Sequence, residues 1–454
     1  MTKQYPRMLL IVPDIKQMLT ENNKEELKHI FYEFEPVEIA EIIDKFTVPE
    51  KVILFSLWNV DFATDVFEKM DKNEQLDLLS AIDEVRKGKI LDELAPDERV
   101  DLFEELPAEK VDRFLSIMEK EEARDVRQLL SYGANTAGRL MTTEFARISP
   151  RMTAGEALDS LRKSAKDLEM MYYIYVLNEK KELVGVLSLK ELILANPERK
   201  ISEIMHTHLI IIPVSLDQEK VADEIAKYDF LALPVTDKKG NMKGIITVDD
   251  VIDVIEEENT EDMYKFGAAG EPPQDYMSMK PLSIARNRLT WLLILVVTGL
   301  VSGLIMQKFS FALEDIVALA FYIPLLMGTA GNVGTQAAMV VVRGLATGEV
   351  RLMDIWQVLK KEFFVGATLG IPLAIFALIR AIILQKNPFL ALSVGLSMLV
   401  TVTTATSLGS ILPLMCKKLG IDPAVVSGPL ITTVLDISSL LIYFKITTYL
   451  LKLA

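Results

Sequence analysis

The stretch IDPAVVSGPLITTVLDISSLL, residues Ile421–Leu441, decides how the rest of the chain is interpreted. It has the length and apolar character of a membrane-spanning helix, yet it carries a carboxylate, Asp436, near its middle. An ionisable side chain at bilayer depth costs at least about 2.5–3.5 kcal/mol, so it normally faces a bundle interior or water. Pairing with a basic group is the alternative, but Arg380 and Lys445 lie near the ends of predicted helices. We therefore expect Asp436 to face an ion pathway.

Charge is distributed unevenly along the chain. Of 64 acidic and 49 basic residues, 7 acidic and 13 basic ones follow position 280, a local balance of +6. The remaining 57 acidic and 36 basic residues give residues 1–280 a balance of −21. An acidic soluble half therefore precedes an apolar half. An acidic surface disfavours nucleic acid and favours cations, although an ordinary soluble acidic domain has the same composition.

Cysteine and histidine are scarce in this chain. The single cysteine, Cys416, excludes an intrachain disulfide, which suits a cytoplasmic soluble half. The apolar run near the N-terminus is too short for a signal peptide, so we expect the first membrane helix to direct insertion. All three histidines, His29, His206 and His208, lie in the soluble half, and there is no His-Glu-x-x-His motif. The chemistry of an intramembrane protease is not indicated, and we expect no enzymatic activity.

Five apolar segments in the second half are each long enough to span a bilayer. They are predicted at Leu289–Met306, Ile316–Val342, Phe363–Leu384, Phe389–Met415 and Val425–Leu451. Basic residues follow the second and fourth segments, and such loops usually face the cytoplasm. We therefore expect a cytoplasmic N-terminus and a C-terminus outside the cell.

The second and fifth segments carry polar residues at helical spacing. Asn332 and Gln336 are four residues apart, and Thr432, Thr433 and Asp436 are three or four apart, so each set shares one helix face. Pro324 is expected to break the backbone hydrogen-bond ladder of the second helix, which is tolerated where the backbone lines water or is buried in protein. Polar side chains of this kind also serve as ordinary contacts between helices. For these two helices we favour the lining of a cation path.

Residues 14–130 have a helical pattern without a convincing strand, and successive short helices suggest a small superhelical domain. Residues 137–200 and 201–256 then repeat one unit. Each copy has a helix, an apolar strand, a turn, a second strand beginning with Gly-apolar-apolar-Ser/Thr, and another helix. This order resembles a tandem pair of cystathionine-β-synthase (CBS) domains. The resemblance implies a regulatory module that binds adenine nucleotides or cations, with Tyr173, Ser188, Thr247 and Asp250 as candidates for binding ATP.

A strongly acidic helix is predicted directly before the membrane half. Its segment DDVIDVIEEENTED carries Asp249, Asp250 and Asp253 among further acids. Like charges four residues apart destabilise a helix by a few tenths of a kcal/mol each, so this helix needs solvent or bound cations. Hard cations such as Mg²⁺ take oxygen ligands and often keep several waters. We therefore interpret these acids, Asp249 included, as candidate cation ligands on a coupling helix; a solvated connector is the alternative.

The whole chain resembles the MgtE family, most specifically in GTAGNVGTQ (Gly328–Gln336) and DPAVVSGPLITTVLD (Asp422–Asp436). The resemblance implies a homodimeric Mg²⁺ channel of the bacterial inner membrane that closes when Mg²⁺ binds its cytosolic domains. The implied division is an all-α superhelical N-domain at 1–136, a tandem α+β CBS pair at 137–200 and 201–256, an acidic connecting (plug) helix and linker at 257–285, and a five-helix transmembrane domain at 286–454. It also implies that Asp436 holds hydrated Mg²⁺ in the pore. The implied sensing residues are Asp97, Asp101, Asp217, Glu219, Asp229, Asp250, Asp253, Glu258, Glu261, Asp262 and Asp422.

Two other functions fit the same layout. A CBS-regulated transporter of Mn²⁺ or Co²⁺ would have the same arrangement, although the absence of membrane histidines argues against softer metals. A non-conducting membrane sensor would use the polar face of the second and fifth helices only for packing. Asp436→Asn separates these functions, because it abolishes selective conduction in a channel but leaves the ligand response of a sensor intact.

Overall fold

The computed structural model describes residues 7–104, 106–165, 168, 170–270, 276, 279–425 and 428–453. The chain forms two compact units, Met1–Ile255 and Glu256–Ala454. Short helices and two small sheets make up the first unit, and the long apolar helices belong to the second.

Short helices form the N-terminal part of the first unit, as predicted. Many of them begin at a residue whose side chain accepts a hydrogen bond from the first turn, as Asn59, Asp71 and Asp83 do. Such caps satisfy backbone N–H groups that the helix leaves unpaired. The helices are α1 (Arg7–Glu21), α2 (Lys24–Phe31), α3 (Pro36–Ala40), α4 (Val48–Leu57), α5 (Val60–Glu68), α6 (Lys72–Ala81), α7 (Glu84–Glu93), α8 (Pro96–Glu104), α9 (Ala108–Ile117) and α10 (Lys120–Leu130).

The packing order of these helices is superhelical. Helix α3 contacts α5, α5 contacts α7, and α7 contacts α9, while α4 contacts α6 and α8 contacts α10. In each of these pairs a helix packs on the one two places further along the chain. Fully buried aromatic side chains such as Phe31, Phe55 and Phe67 fill the space between them. The predicted all-helical, superhelical N-domain is confirmed.

Two similar β-α-β-β-α repeats follow the short helix α11 (Ala137–Leu140). In each repeat the first strand pairs parallel with the second, and the second pairs antiparallel with the third. The predicted duplication is confirmed. The first repeat contains β1 (Phe145–Ile148), α12 (Ala154–Ser164), β2 (Met170–Leu177), β3 (Leu183–Ser188) and α13 (Leu189–Leu194). The second contains β4 (Ile212–Pro213), α14 (Gln218–Tyr228), β5 (Ala232–Thr236), β6 (Met242–Thr247) and α15 (Val248–Phe266).

Helix α15 is both the last helix of the second repeat and the acidic connecting helix. The sequence interpretation separated them near position 257, but one continuous helix runs from Val248 to Phe266. Neither glycine nor proline interrupts this segment, so nothing in it ends the helix earlier. The next described helix begins at Pro281, within the stretch that the sequence interpretation assigned to the linker.

The second unit contains five helices that are long and apolar enough to cross a membrane, as predicted. The bounds of its helices are α16 (Pro281–Lys308), α17 (Ser310–Asp315), α18 (Ile323–Ala346), α19 (Ile355–Gln385), α20 (Pro388–Lys418) and α21 (Gly428–Leu451). Three-residue-per-turn (3₁₀) helices at Val317–Tyr322 and Leu352–Asp354 extend the second and third spans at their N-terminal ends.

Pro324 does not interrupt an α-helix, which corrects the sequence interpretation. It lies in the first turn of α18, directly after the 3₁₀ segment Val317–Tyr322. A proline is well suited to that position, because its missing N–H would have no partner there. The second span is therefore irregular before Pro324 rather than at it. The hydroxyl of Tyr443 donates to the Leu319 carbonyl at 2.9 Å and so satisfies part of this irregular backbone.

Glycines allow α18, α20 and α21 to pack closely. A methyl group at Gly409 of α20 would overlap the carbonyl oxygen of Gly334 on α18, and one at Gly334 would overlap the Leu435 side chain of α21. A methyl group at Gly331 would come within 2.8 Å of Thr432 on α21. Small residues commonly permit this close approach between membrane helices. The positions of Thr432 and Asp436 relative to α18 depend on this packing.

Candidate cation sites and membrane path

An acidic cavity of about 280 Å³ lies within the first unit, between the N-terminal helices and the second CBS repeat. Helix ends that are distant in sequence meet there: the ends of α5 and α7, the start of α8 and the start of α15. Seven carboxylates and one lysine contribute to the lining, together with Ala95 and Leu168. The charged residues are Glu68, Lys69, Glu93, Asp97, Glu98, Glu144, Asp249 and Asp250.

The acidic cavity raises the pKa of Glu98 from 4.5 to about 7. Burial is the largest cause, and the negative charges of Glu68 and Asp101 add to it. Lys69 acts in the opposite direction but does not offset them. Burial and the neighbouring negative charges therefore favour the protonated form of Glu98.

Asp97 and Asp101 are not equivalent, although both belong to α8. Asp97 lines the acidic cavity. Asp101 lies outside its lining and receives a hydrogen bond from Lys72 at 2.7 Å. The family resemblance implied a sensing role for both. The structure gives Asp101 a lysine partner on α6.

Asp217, Glu219 and Asp229 lie at the two ends of α14. Asp217 caps the helix and accepts a hydrogen bond from the Glu219 backbone N–H at 3.2 Å. Asp229 ends the helix in the left-handed conformation, with φ at 54°. The 11 residues between them span about 16 Å, so one chain does not bring the three carboxylates together.

The C-terminal end of α15 forms a lysine bridge, consisting of Lys265, Glu261 and Asp422. The Lys265 ammonium donates to Asp422 Oδ2 at 2.8 Å and lies 2.6 Å from Glu261 Oε1. Burial alone would lower the pKa of Lys265, but these two hydrogen bonds outweigh burial and raise it above its ordinary value. The bridge therefore keeps its positive charge.

Asp262 lies beside the lysine bridge. Burial raises its pKa, and the negative charges of Asp422, Glu258 and Glu261 raise it further, against the effect of Lys265. The resemblance implied both Asp262 and Asp422 as sensing residues, and in the structure the charge of Asp422 acts on Asp262. The sequence interpretation did not identify Lys265 as the basic residue between these acids. Asp253, one of the other candidates on α15, is exposed.

The polar residues predicted to line a cation path lie on two helices that pack together. They are called the polar face below and comprise Asn332 and Gln336 on α18 and Thr432, Thr433 and Asp436 on α21. The two helices are antiparallel: Gly428 faces Thr335, whereas Thr432 faces Gly331. Asn332 and Gln336 are exposed on the outside of the helix bundle, and Thr432, Thr433 and Asp436 are partly exposed. Thr432 and Thr433 donate their hydroxyl protons to the backbone carbonyls four residues earlier, at 2.9 and 3.0 Å. Their oxygen lone pairs remain as acceptors.

Asp436 has no ion-pair partner among the described residues. The Arg380 guanidinium lies instead over the Tyr322 ring, 5.6 Å from its centroid. Pairing of Asp436 with a basic residue, the alternative raised by the sequence, is thus not observed within the described part of the chain. An acid without an ion-pair partner inside a membrane helix is therefore interpreted first as a functional residue.

The candidate nucleotide residues lie at matching positions of the two CBS repeats. Ser188 and Thr247 each begin the helix after the third strand and bond to an acid three residues on, Glu191 at 2.8 Å and Asp250 at 2.5 Å. Tyr173 pairs with Ser188 across β2 and β3, and its ring lies 6.4 Å from that of Phe230 in the second repeat. Tyr173 and Phe230 therefore bring aromatic rings of the two repeats together. Asp250 also lines the acidic cavity.

No group of three His, Cys, Asp or Glu side chains in the described ranges is close enough together to hold a metal ion. The donors that do approach each other are oxygen atoms, which suits a hard, hydrated cation such as Mg²⁺ better than a borderline metal.

Three family models match the chain. The model for the MgtE intracellular N domain matches residues 34–135, the CBS domain model matches 137–198 and 201–257, and the MgtE divalent cation transporter model matches 323–446. The fold and these matches define a multi-pass membrane protein of the divalent cation transporter class, with a helical N domain and a CBS pair.

Similar proteins cover almost the whole chain. The magnesium transporter MgtE of Thermus thermophilus is 37% identical over 96% of this chain and 98% of its own length. The magnesium transporter MgtE of Bacillus subtilis is 37% identical over 95% of both chains. The crystal structure of the cytosolic domain of the Mg²⁺ channel MgtE in complex with ATP is 34% identical, with a TM-score of 0.50, and covers 53% of this chain and 98% of that one. The chain belongs to the MgtE family.

Proposed function

We propose that this protein is a homodimeric Mg²⁺ channel that takes up magnesium across the bacterial inner membrane and is closed by cytosolic Mg²⁺. The polar face of α18 and α21 carries this proposal. Asn332 and Gln336 are exposed on a helix that spans the membrane, and exposing an amide to lipid without a hydrogen-bond partner costs about 2–7 kcal/mol. A second copy enclosing a water-filled path would remove that cost. The magnesium transporters to which the chain is similar support the choice of ion.

The composition of the polar face supports passage of a hydrated cation. Mg²⁺ loses its waters reluctantly and prefers octahedral oxygen ligands. Asp436 from each of two subunits, with hydroxyl oxygens of Thr432 and Thr433, would offer charge and acceptors to the waters of such an ion. Selection and passage both follow if the ion is held through its water shell rather than stripped of it.

The acidic cavity supports closure by the same ion. Its seven carboxylates repel one another, and residues of the N-terminal helices and of α15 are brought together there. Cations held at these residues would stabilise the compact arrangement only, and such differential affinity is what shifts a two-state equilibrium. We extend this proposal to the other acids at which the sequence predicts sensing, including Asp217, Glu219 and Asp229, whose separation on one chain implies ligands from a second copy.

The remaining features of the proposal concern orientation, domains and nucleotide. The basic loops support a cytoplasmic N-terminus and a C-terminus outside the cell. The domain limits that we propose are those predicted from the sequence, with the second CBS repeat continuing into α15. ATP binding at Tyr173, Ser188, Thr247 and Asp250 is supported by the ATP complex of the similar cytosolic domain. We propose no enzymatic activity and no nucleic-acid partner.

Flux in proteoliposomes tests this proposal. Purified protein should admit Mg²⁺ down its gradient, and Mg²⁺ at the cytosolic face should stop the flux. Asp436→Asn should abolish selective Mg²⁺ flux, whereas Glu349→Gln, which removes an exposed carboxyl group from the turn after α18, should preserve it. Equal flux of Mn²⁺ or Co²⁺ would favour a broader divalent transporter. An Asp436→Asn protein that conducts and selects like the original would contradict the proposed pore.

A further inference from the structure

The lysine bridge connects two elements that the proposed gate must hold together. Lys265 and Glu261 are one turn apart on α15, whereas Asp422 lies six residues before the first residue of α21, the last membrane span. Asp422 is itself fixed, because its other carboxylate oxygen accepts the Ala424 backbone N–H at 2.9 Å. The ammonium therefore links the connecting helix to a well-held acceptor rather than to a mobile side chain.

The neighbouring residue, Phe266, adds an apolar contact at the same place. Its side chain packs on the cluster that contains Ala330, Ala405, Ile431 and Leu435 from three membrane helices. Its ring and carbonyl lie 3.6 and 3.8 Å from the position of a Cβ at Gly428, the first residue of α21. The end of α15 is thus docked at the start of α21 by one ionic and one apolar contact, on consecutive residues.

The negative charges of the lysine bridge exceed its positive charge. The carboxylates of Glu258, Glu261 and Asp422 all act on Asp262, and Lys265 is the basic residue that acts on it. Glu261 and Asp422 share the one Lys265 ammonium, so the three charged groups of the bridge together carry a net negative charge. Docking of α15 without any counter-ion would bring Asp422 directly against the acids of the helix, which is unfavourable.

We propose that Lys265 is a tethered counter-ion that keeps the connecting helix partly docked on the last span when no divalent cation is bound. This inference rests on the proposed function, because it concerns the gate of the same channel. The lysine supplies one positive charge that never dissociates, and a divalent cation supplies the rest. Lys265, which does not itself bind the cation, therefore partly sets the open fraction of the channel in Mg²⁺-free solution.

Mg²⁺-free gating of the full-length channel in liposomes tests this role. With EDTA at the cytosolic face and Mg²⁺ outside, Lys265→Met should raise the open fraction about threefold, the size expected from losing a partly exposed ion pair. Lys265→Arg should restore the open fraction of the unmodified protein. Lys418→Met removes an equal charge from an exposed position at the end of α20 and should change nothing. Closure of Lys265→Met at saturating Mg²⁺ would demonstrate that the variant is folded.

The partner is tested by a double substitution. In an Asp422→Asn background, Lys265→Met should have no further effect on the open fraction in EDTA. A threefold effect that persists there, or a Lys265→Met protein that matches Lys418→Met, would overturn the tethered counter-ion while leaving a Mg²⁺-gated channel intact. An unmodified protein that conducts Mg²⁺ but never closes with it would overturn the proposed gating and this inference together.

Discussion

Gly409 of α20 lies directly against the carbonyl oxygen of Gly334 on α18, closer than a side chain at position 409 would permit. Gly409→Ala should therefore separate the two helices and displace Asn332 and Gln336, at a cost of about 1–3 kcal/mol. We expect a lower melting temperature in detergent and reduced Mg²⁺ flux. Gly299→Ala is the matched control, because a Cβ at Gly299 of α16 meets nothing within 4 Å. Equal behaviour of the two variants would argue against the tight crossing.

Asp262→Asn should give a channel that stays open at millimolar cytosolic Mg²⁺. Asp262 lies beside Asp422 and Glu258, and its removal takes away a carboxylate with which a cation could complete the charge balance there. The dependence of flux on cytosolic Mg²⁺ measures the effect, with Glu121→Gln, an exposed acid of α10, as control. The same result is expected for Asp253→Asn. Normal closure of both variants at millimolar Mg²⁺ would count against Asp262 and Asp253 as Mg²⁺-sensing residues.

Glu98 should make the cytosolic part less stable as pH rises. Its pKa is raised from 4.5 to about 7 in the folded state, so between these values the folded chain binds more protons than the unfolded chain. The contribution of Glu98 to the free energy of unfolding is fully present below pH 4.5 and is lost, by about 3 kcal/mol in total, as pH rises to about 7. Melting temperatures of residues 1–266 in EDTA from pH 5 to 8 measure this fall.

Glu98→Gln isolates the contribution of that carboxyl group. The variant should lose the corresponding part of the pH dependence and should be more stable than the unmodified fragment at pH 8. Glu109→Gln, an exposed acid on α9, should leave the pH curve unchanged. The cytosolic domain of a similar protein has been crystallised by itself, which supports the use of a fragment. A pH curve for Glu98→Gln that superimposes on that of the unmodified fragment would contradict the raised pKa.

Asp97→Asn and Asp101→Asn form a matched pair on one helix. Only Asp97 lines the acidic cavity, whereas Asp101 pairs with Lys72. Mg²⁺ should raise the melting temperature of the unmodified fragment, and this rise should be smaller in Asp97→Asn than in Asp101→Asn. Both titrations are made at constant ionic strength, so that screening is equal. A larger loss in Asp101→Asn would move the proposed site away from the cavity.

Local patterns in the sequence predict the helices and strands of this fold but not the tertiary contacts between them. Hydropathy identifies the five spans, and the repeated Gly-apolar-apolar-Ser/Thr pattern identifies the CBS pair, because both signals lie within one segment. Asn332, Gln336 and Asp436 were identified for the same reason: a polar residue in an apolar helix is visible in a short window.

The acidic cavity needs the tertiary structure. Glu68, Glu93 and Glu144 lie on separate elements, and each looks like an ordinary acid at the end of a helix or before a strand. Lys265 was likewise missed, since its partner Asp422 is 157 residues away. The one available signal was the position of Lys265 one turn after Glu261, at the end of an otherwise acidic helix.

The continuity of α15 has a mechanical consequence. A helix of 19 residues without glycine or proline is a stiff rod about 28 Å long, and a tilt of about 10° at Val248 moves Phe266 by about 5 Å. The third strand of the second CBS repeat ends at Thr247, where this rod begins. A small rotation of the helix about Val248 therefore moves its far end, Phe266, by about the width of one aromatic ring.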